Sequence, residues 1–585
     1  MKKYVGDFET ATWLEDETYV WAWALSSIDD PNDIIIGNSI ETFIEEISKT
    51  SALYYFHNLG FDGEFIICWL FANGFERIDD KREKRDKTFI TLINDLGLFY
   101  SLEIYFKVGK NKNIIKATFY DSLKIIPIKV EDIPKSFGIP YKKLEIDYKK
   151  PRERGHILTN EEIDYIKNDV RIVALALKDL IKMGATKMTI GSNALKNFKE
   201  RYKEADFNRY FPKLDRETYT KIKPCYKGGW TYLNPIYKDK TNGETINLDV
   251  NSLYPSVLRY EIMPYGDPIY YSGKYKEDKV YPLYIQRFAC AFKLKKNKLP
   301  TIQIKGSIYA DNEYLTSSDG EVIELCLTSV DLKLFLDHYE VYFLNFIDGW
   351  KFKGKNGFFN DYIDEWIKVK NQATIDENKG MRTIAKLYLN ALYGKFSTGI
   401  TATEKVPYYE DGKVHYRLGE EKEKDGLYLP IGAFITSYAR NKTIRTATAI
   451  KEYSIEKYHK DMFIYSDTDS IKTTLPIEEL KKFCEIDQVE LGKWKYEGTA
   501  RKSKFVRQKT YLEEIWDEKE EEWKMQIICA GLPKDCYKYV EWKTFKEGFR
   551  CSGKLTPKHV RGGIILKETD FTIKSSYMKK NIRDF

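Results

Sequence analysis

The sequence predicts a multidomain protein of mixed α/β and α+β class, and three observations support this prediction. The chain has 585 residues, which corresponds to about four domains at roughly 150 residues per domain. It contains 44 Tyr, 32 Phe and 11 Trp, whereas disordered chains are poor in aromatic residues. Strand-like and helical segments alternate up to about residue 190, as in an α/β domain, and the pattern then changes.

The first 190 residues predict a sheet covered by helices. Strand-like runs occur at 2–10, 52–58, 91–106 and 113–123. Residues 61–75 are expected to form an amphipathic helix. A longer helix is expected over 159–184, capped by Thr159 or Asn160 and carrying acidic residues in its first turn.

The remaining chain predicts a more varied arrangement. Residues 245–258 indicate a strand followed by a turn and a helix, and 462–475 indicate a strand, a turn and a strand. Residues 513–524, rich in Glu and Lys, are expected on a solvated hairpin or helix face. The other expected segments are short β pieces at 260–355, helix at 358–396 broken near 376–380, a β-hairpin at 397–430, helix at 431–455 and a small basic segment at 530–585.

Composition and short motifs disfavour several classes of protein. Lys and Arg number 95 against 88 Asp and Glu, and this net charge of +7 permits a polyanionic partner without requiring one. The eight cysteines form no CxxC pair, which disfavours a zinc site and a disulfide framework and favours a reducing cytoplasm. No signal peptide or 18-residue apolar stretch is expected, so no membrane association is predicted. No GxxxxGK[ST] loop is present, which disfavours a P-loop ATPase or helicase.

Carboxylates near two strand ends predict one metal site. Asp467 and Asp469 lie in the turn of YSDTDS, and Asp249 ends the strand TINLDV. A surface turn or a strand-end cap is the alternative reading of each motif alone. Paired carboxylates are costly without a cation, and Mg²⁺ is commonly shared between carboxylates and substrate phosphates. The three residues together could complete a two-metal site for phosphoryl transfer.

A second group of carboxylates lies near the N-terminus. Asp7 and Glu9 alternate on the first strand and so share one face, and Asp62 follows HNLGF. Tyr165 and Asp169 are four residues apart on one helix face. Four carboxylates and a tyrosine could hold two metals and orient an attacking water. Each piece alone is a weak signal, since a DxE pair on a strand often faces solvent.

Three further patterns suit contact with a nucleotide or a nucleic acid. Arg382, Lys386, Asn390 and Tyr393 form one helical stripe that could hold a triphosphate at its cationic end. The alternative is a half-buried helix with solvated lysines. Lys509 and Tyr511 alternate on a presumed strand and could hold a phosphate and a base. Residues 226–229 place a tyrosine beside two glycines, which would let the backbone approach a polyanion or simply form a turn.

These motifs, taken in order, resemble the family B DNA polymerases that carry a proofreading exonuclease. The motifs are DFET, HNLGFD, YIKND, DVNSLYPS, KLYLNALYG, YSDTDS and KTY. The closer resemblance is to the protein-primed branch, as in phi-twenty-nine-type small Bacillus phages, and it extends from Tyr4 to about Lys574. Ala391 replaces the serine that is frequent in this family.

The resemblance implies a role for each residue of the polymerase site. Asp249 and Asp469 would be the main metal ligands, with Asp467 beside them and the Val250 carbonyl as a further ligand. Tyr254 would exclude ribonucleotides. Lys370, Arg382 and Lys386 would bind the triphosphate. Asn390 and Tyr393 would line the nascent base pair. Ser252, Lys509 and Tyr511 would contact the DNA.

The resemblance also implies an exonuclease site. Asp7, Glu9, Asp62 and Asp169 would ligate two metals, Tyr165 would orient the water, and Lys143 would aid the leaving phosphate. The frayed 3′ strand would be held by His57, Asn58, Phe61, Ser122 and Leu123, while Tyr226, Gly228 and Gly229 would link the two sites. Two Mg²⁺ ions are expected in each site, and Mn²⁺ can substitute.

The resemblance further implies an RNase H-like 3′→5′ exonuclease domain and a right-hand polymerase domain with two β-rich insertions. The expected divisions are exonuclease 1–190, palm 191–260 and 429–528, first insertion 261–358, fingers 359–396, second insertion 397–428, and thumb with tail 529–585. The insertions would contact a priming protein and close a ring around DNA. No role is assigned to the tail after Lys574.

The implied function is protein-primed replication of linear viral DNA with strand displacement and proofreading. The partners would be template-primer DNA, dNTPs and a terminal protein, in an otherwise monomeric enzyme of the infected bacterial cytoplasm. Three alternatives remain at this point. They are a nucleic-acid-primed polymerase, a 3′→5′ exonuclease with a DNA-binding C-terminal region, and a non-enzymatic single-strand-binding protein.

Overall fold

A computed structural model describes residues 1–107, 114–303 and 314–574 of the chain. The tail after Lys574 therefore lies outside the described residues, as does a segment of the first expected insertion. No helix within the described ranges is long and apolar enough to cross a membrane.

The N-terminal domain is a mixed sheet with helices on its faces. Its strands are β1 Lys2–Thr10, β2 Val20–Ser27, β3 Ile34–Gly37, β4 Ala52–Phe56, β5 Glu76–Arg77, β6 Thr88–Ile93, β7 Phe99–Lys107 and β8 Ile114–Asp121. Its helices are α1 Ile40–Ile47, α2 Leu59–Ala72, α3 Ile133–Phe137 and α4 Asn160–Lys182. The strand order is β3-β2-β1-β4-β8-β7-β6-β5, which places β1 inside the sheet between an antiparallel and a parallel neighbour.

Two helices of this domain test the sequence predictions in different ways. Helix α4 begins after Thr159, whose side chain accepts from the Glu162 amide while Glu162 caps the Thr159 amide in return, so the predicted cap is confirmed. Helix α2 is not amphipathic, which is a correction. It is buried on nearly all sides because the sheet covers one face and elements from much later in the chain cover the other.

The middle of the chain builds a second sheet and a β-rich excursion. Short helices α5 Ile190–Lys199, α6 Glu204–Tyr210 and α7 Arg216–Ile222 precede β9 Thr231–Leu233, β10 Thr241–Asn242, β11 Thr245–Val250 and α8 Leu253–Tyr260. The excursion contains β12 Met263–Ser272, β13 Leu283–Leu294, β14 Ile302–Gln303, β15 Tyr314–Leu315, β16 Ile323–Thr328, α9 Ser329–His338 and β17 Tyr339–Lys355. The expectation of only short β pieces is wrong here, since β13 and β17 are long paired strands and α9 was not anticipated.

Two helices and a β-hairpin follow, and then the rest of the second sheet. These elements are α10 Asn360–Ile375, α11 Lys379–Phe396, β18 Thr401–Glu410, β19 Lys413–Glu423, α12 Leu429–Tyr458, β20 Phe463–Asp467, β21 Ser470–Thr473 and α13 Ile477–Leu480. The break between α10 and α11 and the hairpin β18–β19 both lie where the sequence predicts them. We call the sheet with strand order β22-β11-β21-β20-β9 the central sheet, where β22 is Trp494–Ala500.

The C-terminal part adds an adjoining sheet and a long hairpin. The adjoining sheet has the order β10-β23-β24-β25, with β23 Lys502–Arg507, β24 Thr510–Asp517 and β25 Glu522–Cys529. The long hairpin consists of β26 Arg550–Val560 and β27 Gly563–Thr572. Residues 513–524 do form a hairpin, but Glu513 is buried rather than solvated, which corrects the prediction for this residue.

Two distant hairpins meet on helix α2, at a place that we call the junction. The Tyr416 hydroxyl of β19 donates to Glu64 Oε1 of α2 at 2.7 Å, and His559 Nε2 of β26 lies 3.2 Å from the same oxygen. The turn after β26 presses closely on the N-terminal domain, because a Cβ at Gly562 would collide with the Thr18 carbonyl. The N-terminal domain, the hairpin β18–β19 and the hairpin β26–β27 are therefore joined.

Candidate active sites

The first candidate site is a cluster of four carboxylates in the N-terminal domain: Asp7, Glu9, Asp62 and Asp169. Strand β1 supplies Asp7 and Glu9 on one face, the first turn of α2 supplies Asp62, and α4 supplies Asp169. Asp62 Oδ1 accepts from the Phe8 amide at 3.1 Å, which ties α2 to β1 at this point. The structure thus brings the predicted carboxylates together.

Burial and mutual repulsion raise the proton affinity of this cluster. Burial, followed by the charge of Asp169, raises the pKa of Asp7 to about 7. Burial and the neighbouring Asp7 carboxylate raise the pKa of both Glu9 and Asp62 well above their usual range, and burial also raises the pKa of Asp169. A group of buried acids with such mutual repulsion is suited to a compensating cation.

Lys143 and Tyr165 lie at this cluster as the sequence predicts. Lys143 Nζ is 3.2 Å from Asp169 Oδ2; although burial opposes it, the carboxylate of Asp169 raises the pKa of Lys143. The Tyr165 hydroxyl shares a 2.6 Å hydrogen bond with the Tyr148 hydroxyl, and burial raises the pKa of Tyr165, so it stays a neutral hydroxyl. Tyr148 was not anticipated, because nothing in its local sequence marks it.

The residues expected to hold a DNA strand lie beside one another at the start of α2. His57 Nδ1 is 3.1 Å from the Ser122 hydroxyl and its Nε2 is 2.7 Å from the Ile128 carbonyl. Burial lowers the pKa of His57. Asp121 accepts from the amides of Asn58 and Leu123, at 3.0 and 2.9 Å, and so fixes both segments.

Phe61 is half-buried and packs on Phe65 at a ring distance of 5.5 Å. Together with His57, Asn58 and Leu123 it forms a partly open surface next to the carboxylate cluster, whereas Ser122 is fully buried and is connected to this surface through its hydrogen bond to His57. Asp121 was missed, although the end of the strand in YDSL was a usable signal.

The second candidate site lies at one end of the central sheet. Asp249 on β11 pairs with Ser470 on β21, and the Val250 amide donates to the Asp469 carbonyl at 2.8 Å. This pairing sets Asp249 and Asp469 side by side although they are distant in sequence. Burial, then the charges of Asp469 and Glu497, raises the pKa of Asp249 to about 7, and burial raises that of Asp469.

Asp467 lies beside this pair but has its own partners. Its Oδ1 accepts from the Thr231 hydroxyl at 2.9 Å, and its Oδ2 accepts from the Tyr465 hydroxyl at 3.3 Å. Lys509 Nζ is 3.8 Å from Oδ1. Asp467 is thus oriented by neutral and cationic groups, whereas Asp249 and Asp469 mainly face other carboxylates.

The glycine-rich loop 226–229 packs against the turn that carries these carboxylates. The Thr468 amide donates to the Trp230 carbonyl at 2.8 Å, and a Cβ at Gly229 would come within 2.6 Å of the Thr468 hydroxyl. Gly229 therefore permits a close protein contact, while a Cβ at Gly228 would meet open space. Arg440 of α12 donates to the carbonyl of Gly228 at 2.6 Å and so fixes the loop against α12.

Helices α10 and α11 present the predicted cations. Burial lowers the pKa of Lys370 and Lys386, and the neighbouring charges of Lys386 and Arg382 lower it further for Lys370, which shows that the three cations are close. Lys370 and Ser252 line one groove of about 390 Å³. The groove itself is lined by Lys370 together with Asp487 and Glu490, whereas the neighbouring cations Lys370, Arg382 and Lys386 form a positive cluster that suits a polyphosphate.

Tyr254 and Tyr393 form the other end of this region. Their rings stack with centroids 4.1 Å apart and an interplanar angle of 24°, which joins α8 to α11. Asn390 lies one turn before Tyr393 on α11 and is exposed. Tyr226 lies near enough to Tyr393 to affect its electrostatics.

The structure corrects the placement of Lys509. It lies in the turn before β24 with a positive φ of 55°, so it does not alternate with Tyr511 on a strand. Its amide donates to the Tyr465 hydroxyl at 3.0 Å, and Tyr511 packs 5.5 Å from the Tyr465 ring. Lys509 and Gly229 line a shared groove of about 660 Å³ with residues of the β26–β27 hairpin.

Both carboxylate groups fit a divalent cation by their donor chemistry. Asp169 Oδ1 is buried without a hydrogen-bond partner, and burial raises the pKa of Asp7, Glu9, Asp62, Asp169, Asp249 and Asp469, so a bound cation would offset the cost of their charges. Within the described ranges, no three His, Cys, Asp or Glu side chains converge tightly enough to hold a metal as they stand.

Comparison with known proteins bears on the whole chain. Residues 44–487 match the family of type B DNA polymerases, organellar and viral. The DNA polymerases of Bacillus phage M2 and Bacillus phage phi29 are each 42% identical over 98% of this chain, covering 100% and 99% of those proteins. The solved structure of phi29 DNA polymerase with primer-template DNA and incoming nucleotide substrates has a TM-score of 0.89 at 41% identity and covers 98% of this chain and all of that chain.

This similarity confirms the predicted fold class, an exonuclease domain joined to a right-hand polymerase domain with β-rich insertions. The chain belongs to the family B DNA polymerases and is a DNA-directed DNA polymerase similar, over nearly its whole length, to the phi29-type phage enzymes.

Proposed function

We propose that this polymerase extends primers at the central sheet and removes 3′-terminal nucleotides in the N-terminal domain. The observation that carries the proposal is the presence of two separate carboxylate groups, each with its own cations and aromatic residues. A single-strand-binding protein would need neither group, and an exonuclease would need only the first. Primer-template DNA and incoming nucleotides, which the phi29 enzyme binds, are the proposed substrates.

Polymerisation would proceed by in-line attack of a primer 3′-hydroxyl on the α-phosphate of a dNTP, with release of pyrophosphate. Asp249 and Asp469, with Asp467 and the Val250 carbonyl, would hold two Mg²⁺ ions, for which Mn²⁺ can substitute. When bound, such ions lower the pKa of the attacking hydroxyl and neutralise charge on the phosphates. Lys370, Arg382 and Lys386 would bind the triphosphate.

The stacked rings of Tyr254 and Tyr393 would form a flat surface under the sugar of the incoming nucleotide. A 2′-hydroxyl would then collide with Tyr254, whose position is fixed by the 4.1 Å stack. Asn390 and Tyr393 would line the nascent pair, Ser252 would contact the DNA, and Lys509 and Tyr511 would hold the primer end. These roles require rigid side chains, which the packing of Tyr254 and Tyr511 supplies.

Proofreading would use the N-terminal carboxylates. Asp7, Glu9, Asp62 and Asp169 would hold the second pair of ions, and the Tyr165 hydroxyl would orient the attacking water. Lys143, which lies 3.2 Å from Asp169, would stabilise the phosphate as the bond breaks. The frayed strand would lie on the surface formed by His57, Asn58, Phe61, Ser122 and Leu123, and Tyr226, Gly228 and Gly229 would connect the sites.

We also propose protein-primed initiation and strand displacement in the infected bacterial cell. A hydroxyl of a terminal protein would replace the primer 3′-hydroxyl, in a heterodimer formed at initiation. The junction at Glu64 supports processivity, because the joined N-terminal domain and hairpins could enclose a strand. An enclosed duplex cannot leave by simple dissociation, and each nucleotide addition would advance strand separation.

One gel tests the two activities. A 5′-labelled primer on a single-stranded circle is incubated with Mg²⁺, with and without dNTPs. Products longer than the circle with dNTPs, and shortening without them, are expected. Shortening in both lanes would contradict the polymerase assignment of the central sheet. A labelled nucleotide transferred to a separate terminal protein would distinguish protein priming from ordinary nucleic-acid priming.

A further inference from the structure

A buried ion pair joins the central sheet to the adjoining sheet. Lys472 lies on β21 and Glu513 on β24, with Nζ 2.7 Å from Oε2. Their exposed fractions are only 7% and 1%. Lys472 Nζ also lies 3.0 Å from Asn247 Oδ1, and Asn247 is directly opposite Lys472 in the β11–β21 pairing.

This pair is not built for stability alone. Glu513 Oε1 is buried and, within the described part of the chain, makes no hydrogen bond. The desolvation of two charges offsets much of their attraction, so a buried pair of this kind is weak evidence for a stabilising role. A role in fixing the position of a neighbouring residue is the better explanation when the pair contacts a functional side chain.

Lys472 does lie against such a residue. Its Nζ is 5.0 Å from the centroid of the Tyr511 ring, a cation–π distance in a site with little water. The same ring packs 5.1 Å from Phe505 and 5.5 Å from Tyr465. Tyr465 in turn contacts Asp467, so the Tyr511 ring has packing partners on both sheets.

Lys472 therefore connects two parts of the proposed polymerase site. Through Asn247 it contacts β11, where Asp249 lies two residues further along on the same face. Through Glu513 it contacts β24, where Tyr511 lies two residues earlier on the same face. Lys472 is thus one link between the metal-binding carboxylates and Tyr511, beside the contact of Tyr511 with Tyr465 and of Tyr465 with Asp467.

We propose that Lys472 is a positioning residue that holds Tyr511, and with it the primer 3′ end, in register with Asp249. The inference rests on the proposed function, in which Tyr511 contacts the primer. It concerns the primer end, because Lys472 contacts the Tyr511 ring and is not among the residues that line the groove beside Lys370. The primer-template KM should therefore change while the dNTP KM should not.

The test is Lys472→Met in the full chain, with primer extension measured against varied primer-template and varied dNTP. The primer-template KM should rise about tenfold, the size expected for loss of a desolvated cation–π contact, and the dNTP KM should change less than about twofold. Lys472→Arg, which keeps a cation, should have a primer-template KM close to that of the wild type. The matched control is Lys298→Met, which breaks the 2.7 Å Lys298–Glu452 pair and should leave both constants unchanged.

A second variant separates positioning from folding. Lys472→Met alone leaves Glu513 buried without its partner, so the double variant Lys472→Met/Glu513→Gln removes both charges. The primer-template KM should stay about tenfold raised in this double variant, with thermal melting near that of wild type. In a Tyr511→Leu background, Lys472→Met should add less than about a twofold effect. A normal primer-template KM in the double variant would overturn the proposal.

The outcome also distinguishes this inference from the proposed function. If the wild-type chain extends no primer, the proposed function fails. If it extends primers and Lys472→Met retains a normal primer-template KM in folded protein, only the role of Lys472 fails. Thermal melting of each variant measures folding, because Lys472 lies outside the N-terminal domain and degradation of single-stranded DNA would report on that domain alone.

Discussion

The two carboxylate groups differ in how the chain assembles them. Asp7, Glu9, Asp62 and Asp169 come from one domain and are packed between β1, α2 and α4. Asp249 and Asp469 come from distant segments, and the residues expected around them come from two helices and two sheets. The first site is held within one domain between two hydrophobic clusters, one of which also includes Leu248 and Val250 of the central sheet, whereas the residues around the second site come from more widely separated segments.

This difference predicts how far from the substituted residue the effect of a substitution should extend. The effect of a substitution in the N-terminal cluster should be more local, since its four carboxylates come from β1, α2 and α4 of one domain. A substitution around the central sheet should propagate through elements such as the loop 226–229, α11 and β24, each of which contacts the site from a different part of the fold.

The largest expected effect is a clean separation of activities. Asp249→Asn should lower primer extension on the order of a thousandfold or more, because one of two central metal-binding carboxylates is lost, and should leave 3′ degradation intact. Asp7→Ala with Glu9→Ala should do the reverse. Rates on one labelled primer-template, with and without dNTPs, measure both. Loss of both activities from one folded variant would contradict the separation of the sites.

A smaller effect concerns the sugar of the incoming nucleotide. Tyr254→Val removes the ring stacked on Tyr393, so discrimination against rNTPs should fall by roughly 10–200-fold. The kcat/KM ratio for dNTP and rNTP in single-nucleotide extension gives the measurement. Tyr165→Phe is the matched control, since it changes a tyrosine of the other site and should leave this ratio as it is. An unchanged ratio in Tyr254→Val would place the sugar elsewhere.

Stability provides a third contrast between the clusters. Asp62→Asn keeps an oxygen for the Phe8 amide but removes one buried, repelled charge. In EDTA at pH 8 this substitution should raise the free energy of unfolding by about 1–2 kcal/mol and Tm by a few degrees. Exonuclease activity should fall. Asp467→Asn should give a smaller shift, because that carboxylate is 28% exposed and has Lys509 nearby. Thermal melting with and without Mg²⁺ measures both, and a lower Tm for Asp62→Asn would contradict the argument.

The smallest effect is a pH dependence at the junction. The Glu64 carboxylate raises the pKa of His559, which also faces Tyr416. Because the folded state holds this proton more tightly than the unfolded state, the stabilisation is complete below the unfolded pKa of about 6.5 and is lost as pH rises through the folded value.

Limited proteolysis of the β26–β27 hairpin at pH 6 and pH 9 measures this dependence. Wild type should be cut faster at pH 9 by a small factor, and His559→Gln should remove most of the difference. Equal rates for wild type at both pH values would exclude His559 as the titrating group.

Local sequence patterns predicted most of the elements that carry functional residues. The cap of α4, the break between α10 and α11, and the strand–turn–strand around Asp469 all follow from short-range rules and agree with the structure. Errors arose where distant segments decide the environment. Helix α2 lacks an exposed face because later hairpins cover it, and Glu513 is buried because Lys472 lies across a sheet boundary.

The residues that sequence reasoning missed share this cause. Tyr148, Thr231 and Asp121 act by contacting a predicted residue from a segment remote in the chain. The strand end in YDSL was a usable signal for Asp121, but no periodicity or motif reports the pairings of Tyr148 and Thr231, since these depend on how sheets and loops pack together. The order of the carboxylate motifs along the chain, in contrast, was enough to predict both sites without these contacts.

The junction also bears on how the protein is made. Glu64 is buried in the finished fold, but its partner Tyr416 is 352 residues later in the chain. At about 5–20 residues per second, a ribosome needs roughly 18–70 s to reach that partner. During that interval a folded N-terminal domain would present α2 uncovered, so the last domains to emerge complete the surface of the first, and truncated chains should be prone to aggregation there.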